Sequence, residues 1–197
     1  EVILKIELHR MRDSRQQLQS GYFVVQDRTE EINEMKRKQY LSTHDELSGL
    51  YNKEYFTEKV EQYLRRYPEE ELLMMCTDIK DFKMINELYN HQVGNAVLQR
   101  VTKNIEANSD WIYFGARCDN DNFALMIHDM PEEETRMKLE QFFDAISWLE
   151  EDPEYPIYYR CGVVCMRNAM NTGDVVADCA KLAQATGTTL NVTEIQF

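Results

Sequence analysis

The sequence predicts an α/β domain from His44 onward, because strand-like apolar runs alternate there with stretches of helical spacing. The most apolar run, Leu72 to Ile79, has the continuous hydrophobicity of a central strand covered on both faces. The first forty residues follow another pattern, two alternating segments and then a charged stretch, which predicts a β-hairpin leading into a helix.

In chain order, Val2 to Arg10 alternates as V-I-L-K-I-E-L-H-R, Ser14 to Ser20 is a polar turn, and Gly21 to Gln26 is again strand-like. The charged stretch from Glu30 to Gln39 reads as a helix whose first amides Asp27 or Thr29 can cap. Asn52 to Arg66 has helical spacing through Tyr55, Phe56, Val60, Tyr63 and Leu64, and Val93 to Ala107 is helical again. Trp111 to Arg117 and Phe123 to His128 read as strands joined by Asp119-Asn120-Asp121-Asn122, a hairpin-turn composition. Pro131 then marks a helix start, with Glu132 to Leu149 helical, Tyr155 to Met166 a strand, Asp174 to Ala185 helical and Leu190 to Phe197 a strand.

Composition narrows the function classes. The formal net charge of -13 argues against a nucleic-acid partner, which calls for lysines and arginines gathered against phosphates. The basic clusters Lys36-Arg37-Lys38 and Arg65-Arg66 lie among carboxylates on helical stretches and read as solvated faces. No apolar run approaches the roughly 20 residues needed to span a bilayer, so no membrane partner is expected within this segment. With 43% hydrophobic residues the chain can close one core of ordinary size plus an appendage, and its opening at Glu1 rather than Met reads as a piece of a longer protein. The five cysteines lack metal-ligand spacing and read as reduced, buried thiols of a cytoplasmic protein.

The residues most suggestive of chemistry are Asp78, at the carboxyl end of the central strand, with Asp119 and Asp121 in the hairpin turn. Carboxylates at strand ends and turns can share a hard divalent cation such as Mg2+, though acidic turns are also commonly just solvated.

Four segments carry a resemblance. His44-Asp45-Glu46-Leu47-Ser48-Gly49-Leu50-Tyr51-Asn52 is similar to the H-D-x-L-T-G-L-x-N opening of GGDEF domains, the diguanylate cyclase family. Asp78 to Asn86 resembles its D-I-D-x-F-K-x-I-N segment, and His91-x-x-Gly94-Asn95 its G-H-x-x-G-D segment. Arg117-Cys118-Asp119-Asn120-Asp121-Asn122-Phe123 falls where R-x-G-G-D-E-F stands. The resemblance implies a ferredoxin-like, mainly antiparallel central sheet flanked by helices, of the nucleotidyl cyclase and polymerase-palm type. It also implies a face-to-face pair of domains that joins two GTP molecules into cyclic di-GMP with the help of metal ions. Position by position, it makes Asp78, Asp121 and the Ile79 carbonyl metal ligands, Lys83 a phosphate contact, and Asn86 and Asn95 guanine contacts. Strand pair, Asp27-x-Thr29 and helix resemble the last two strands and exit linker of a PAS sensor domain, or else are an ordinary hairpin leading into a helix. The domain expectation is therefore 1–28 a PAS-like hairpin, 29–43 a signalling helix and 44–197 a GGDEF domain.

The departures weaken the catalytic equipment. Asp119 and Asn120 replace the two glycines, adding bulk and negative charge where backbone should approach a nucleotide. Asn122 replaces the signature glutamate, Lys80 the second acid of D-I-D, and Asn95 an aspartate suited to guanine's donors. Toward the C-terminus Ala177 to Thr188 matches the family's A-D-x-A-L-Y-x-A-K-x-x-G-R-N only loosely, with Gln184 or Ala185 for the lysine and Thr188 for the arginine. Charge-assisted bonds contribute roughly 1.5–3 kcal/mol each, so losing that pair weakens triphosphate binding by about two to four powers of ten. Asp110-Trp111-Ile112-Tyr113 does not match the R-x-x-D of the family's product-inhibition site.

Three functions stand as expectations. The first is a catalytically silent GGDEF domain acting as a regulatory or interaction module of cyclic di-GMP-type signalling, with an EAL or other output domain as partner. The second is a receptor for GTP or another purine nucleotide, and the third a working cyclase. Mg2+ is expected to bind weakly without nucleotide and not to be needed for folding, and the Glu30 to Ser42 helix to support weak homodimerisation through Ile32 and Met35.

Overall fold

The computed structural model describes residues 1–12, 15, 18–166 and 194–196. The expected helix at Asp174 to Ala185 and the Ala177 to Thr188 segment lie outside the described residues. The chain divides into two compact units, Glu1–Ser42 and Thr43–Phe197.

The first unit is an antiparallel hairpin, β1 (Leu4–Arg12) and β2 (Leu18–Asp27), followed by helix α1 (Thr29–Leu41). Ile6 stands opposite Val25 and Leu8 opposite Phe23, so Leu4, Ile6, Leu8, Phe23 and Val25 share one face. All five are between 47% and 68% exposed. Asp27 accepts the Thr29 amide at 2.9 Å, and the Thr29 hydroxyl accepts the Ile3 amide at 2.8 Å, which ties the helix start to the hairpin. No residue of α1 is buried, and its charges include the Lys38–Glu34 pair expected of a solvated face.

The second unit is built on a six-stranded sheet in the order β3-β5-β6-β4-β7-β8. Its strands are β3 (Tyr51–Asn52), β4 (Leu72–Ile79), β5 (Ile112–Asp119), β6 (Asn122–His128), β7 (Tyr159–Met166) and β8 (Glu194–Gln196). β4 pairs antiparallel with both β6 and β7, and the parallel pairings β3–β5 and β7–β8 lie at the margins. Every β4 residue is buried, including the polar Thr77 and Asp78 that follow its apolar run.

Alternation along β4 feeds two cores. Leu73, Met75 and Ile79 join Val97, Leu98, Val101 and Ile105 of α4 (His91–Ala107) and Leu139, Phe142 and Phe143 of α5 (Glu132–Asp144). Leu72, Met74 and Cys76 join Phe56, Val60 and Leu64 of α2 (Lys53–Arg66). Helices thus cover both faces of a mainly antiparallel sheet, the architecture the resemblance implies.

Strands β1, β2 and β5 each run two or three residues beyond the expected bounds at one end, and three further differences bear on the core. A seven-residue helix, α3 (Phe82–Leu88), fills the segment after β4, where the sequence was read only for its motif. Helix α5 ends at Asp144, and Ile146 and Leu149 are buried in the loop that follows, so the apolar spacing to Leu149 reflects burial rather than continued helix. Strand β7 begins at Tyr159, after a segment that contains Pro153 and Pro156. Cys76, Cys118, Cys161 and Cys165 are free thiols, and burial raises the Cys118 thiol to about 11.

Candidate nucleotide and metal site

The site lies where the carboxyl end of β4 meets the turn between β5 and β6. Asp119 pairs with Asn122, which leaves Asn120 and Asp121 as a two-residue turn. Asn120 has φ 40°, in the left-handed region. The position where the family carries glycine thus keeps a glycine-like backbone, which asparagine tolerates better than most residues. Asp119 is exposed, Asn122 is half-buried and Phe123 is buried under the turn.

Two side chains fasten this turn. Arg117 donates through Nε to the Asn120 carbonyl at 2.7 Å and through Nη1 to Asp45 Oδ1 at 3.1 Å. Asp45 Oδ1 also accepts the Ser48 amide at 2.8 Å and the Ser48 hydroxyl at 2.7 Å. Burial pushes the Asp45 carboxyl up, but the Ser48 hydrogen bonds and the Arg117 guanidinium outweigh it, and its pKa lies below the usual value. The His44 to Asn52 motif is therefore a structural loop that carries the signature hairpin. Gly49 provides its φ of 72°, and Asn52 accepts the Tyr55 amide at 2.9 Å to cap α2.

Asp78 and Asp121 converge. Asp121 Oδ2 accepts the Ile79 amide at 3.2 Å, and the negative charge of Asp78 acts on Asp121. Burial pushes both carboxyls above their usual pKa, with Arg160 opposing the shift in each. Arg160 was not singled out from the sequence. It stands directly opposite Asp78 in the β4–β7 ladder, so both side chains leave the same face of the sheet. Its Nε donates to Asp78 Oδ1 at 2.7 Å and its Nη2 to Oδ2 at 2.6 Å, a fork-to-fork pair. The cation beside Asp78 is thus Arg160. The Thr77 hydroxyl adds a bond to the Arg160 carbonyl at 2.8 Å and fixes the same register.

The remaining expected contacts are spread around this centre. Lys83 is 88% exposed and pairs with Glu87 at 3.3 Å. Asn86 is half-buried, with its amide packed so closely on Gly94 that a Cβ there would collide with it. Asn95 is exposed on the first turns of α4. Asn90, where the family motif has its first glycine, takes φ 148° and accepts the Gln92 and Val93 amides at 2.8 and 3.1 Å.

These residues do not fit a divalent cation as arranged. Both oxygens of Asp78 are engaged by a guanidinium, Lys80 and Asn122 replace acids, and among the described residues no group of three His, Cys, Asp or Glu side chains is placed to hold a metal.

Comparison with known proteins agrees with the fold and with the family resemblance. The profile of the family described as diguanylate cyclase, GGDEF domain, matches residues 42–186, and the chain belongs to that family. It is 29% identical over 129 residues to the uncharacterized protein YtrP of Bacillus subtilis, covering 66% of this chain and 21% of that relative, so it spans about a fifth of that protein's length. The coiled coil and GGDEF domain of DgcB from Caulobacter crescentus, solved in complex with c-di-GMP, superimposes with a TM-score of 0.68 at 19% identity, covering 84% of this chain and 92% of that one. An S helix-GGDEF-EAL portion of Vibrio cholerae LapD, bound to c-di-GMP, gives a TM-score of 0.59 at 17% identity, covering 82% of this chain and 38% of that one.

Proposed function

We propose that this GGDEF domain serves cyclic di-GMP-type signalling as a catalytically silent regulatory and interaction module. The observation that carries this reading is the two-bond ion pair between Asp78 and Arg160. Catalysis in this family depends on metal-bound oxygens at the reacting centre, and an acid held by an internal guanidinium is not offered to a metal. Asp119, Asn120 and Asn122 in the signature add to this, since chemistry needs all its parts together whereas a docking role does not.

Upstream, the apolar face of the hairpin and its Asp27 to Thr29 connection support a PAS-like sensor end that passes its signal through α1. Ile32 and Met35 on that solvated helix suit weak pairing in a dimer, and an EAL-type output domain, present in LapD, is the fitting downstream partner. A receptor that holds GTP without turning it over is favoured by one observation, the Asn86 amide seated against Gly94 next to the exposed Lys83.

The test is incubation of the purified chain with GTP and Mg2+ or Mn2+, with nucleotide products followed by chromatography. No cyclic di-GMP is expected. Sustained synthesis that Asp78→Ala abolishes contradicts the reading.

A further inference from the structure

We propose that Arg160 is a tethered counter-cation that takes the place of a divalent metal at the Asp78–Asp121 pair, so that the hairpin and the end of β4 are held together without one and free Mg2+ or Mn2+ is excluded. This deepens the reading of the domain as silent and rests on the same site.

The geometry gives three reasons. First, Asp78 is 4% exposed at its side chain, so its charge needs a partner within the protein or a bound cation, and a planar fork satisfies both oxygens at once. Second, Arg160 comes from the neighbouring strand at the directly opposed position, with the Thr77 bond fixing the register, so its charge is delivered by the sheet and needs no ion from solution. Third, Asp121 reaches the Ile79 amide from the hairpin, near enough for the charges of Asp78 and Arg160 to act on it, although the fork itself is bonded to Asp78. A free cation entering here must displace a guanidinium with two charge-assisted bonds and then find its ligands without acids at 80 and 122.

Substituting Arg160 uncovers the latent site. Mn2+ binding, followed by electron paramagnetic resonance, is expected to be absent in the wild-type chain and present in Arg160→Met, with affinity raised about tenfold or more, the factor that corresponds to losing one charge-assisted bond. The same ions are expected to raise the melting temperature of Arg160→Met, and Asp78→Asn added to that variant to abolish both effects. Folding of Arg160→Met only when Mn2+ is present supports the proposal equally. Arg160→Lys, which keeps the charge but not the fork, is expected to bind Mn2+ more weakly than the Met variant and more tightly than wild type. Equal Mn2+ binding by wild-type and Met chains, or a folded Met variant that binds none, overturns the proposal. If the Met variant fails to fold under every condition, a Lys variant as inert as wild type overturns it. None of these measurements involves GTP turnover, so cyclic di-GMP synthesis by the wild-type chain sinks the silent reading alone, while the Mn2+ titrations decide the role of Arg160.

Discussion

Arg117 shows how a motif residue can serve architecture. It bonds the Asn120 carbonyl and Asp45 together, so the turn of the signature hairpin is fixed to the loop that opens the domain. Because hydrogen bonds to its ionised form hold Asp45 below the ordinary value of 3.8, its contribution to stability is complete above that value and is lost as pH falls through the lowered folded pKa. Asp78 and Asp121, raised chiefly by burial, work in the opposite sense, losing stability as pH climbs from 3.8 toward their folded values. Asp45→Asn is therefore expected to cost about 1–2 kcal/mol at neutral pH in urea denaturation, with the difference from wild type shrinking as pH falls below about 3.8. A constant difference down to strong acid contradicts the assignment. Asp45, Asp78 and Asp121 were legible from motif order, because each sits in a short segment with a distinctive spelling. Arg160 was not, since its partner is 82 residues away in sequence and the two meet only through strand register. The one signal present is an arginine inside the otherwise apolar run Tyr159 to Met166, which points to an acid partner without saying which.

At the scale of elements, the apolar run from Leu72 to Cys76 located β4, because a strand buried on both faces shows little alternation, its polar Thr77 and Asp78 coming only at the carboxyl end. Helix α3 was missed because a seven-residue helix has fewer than two turns of apolar spacing to read, and only Ile85 of it is buried. Its packing on α4 depends on Gly94, where an added Cβ would meet the Asn86 side chain and, at 3.3 Å, the ring of Phe82. Gly94→Ala is thus expected to lower stability by roughly 1–3 kcal/mol, as overpacking does, and to displace Asn86, seen as shifted amide resonances across α3 and the start of α4. An unchanged urea midpoint with unmoved Asn86 resonances goes against this account of the motif's glycine.

At the scale of the molecule, the layer order of the second unit follows from simple patterning: β4 feeds two cores, and helices cover both faces of the sheet. That much was readable from alternation and motif order. The state of the site was not, because loss of glycines and of a glutamate shows in the sequence, whereas closure of the surviving acid by a cross-strand guanidinium shows only in three dimensions. Closure of Asp78 by Arg160 is expected to persist under the conditions in which a cyclase would work. Nitrogen-15 NMR of the Arg160 guanidinium, recorded as Mg2+ and GTP are added together, tests it most directly. The Nε–H resonance is expected to stay shifted and protected from exchange throughout, because the fork on Asp78 does not open. Loss of that protection on adding Mg2+ and GTP, with Arg160 released and Asp78 turned over to the metal, would contradict it.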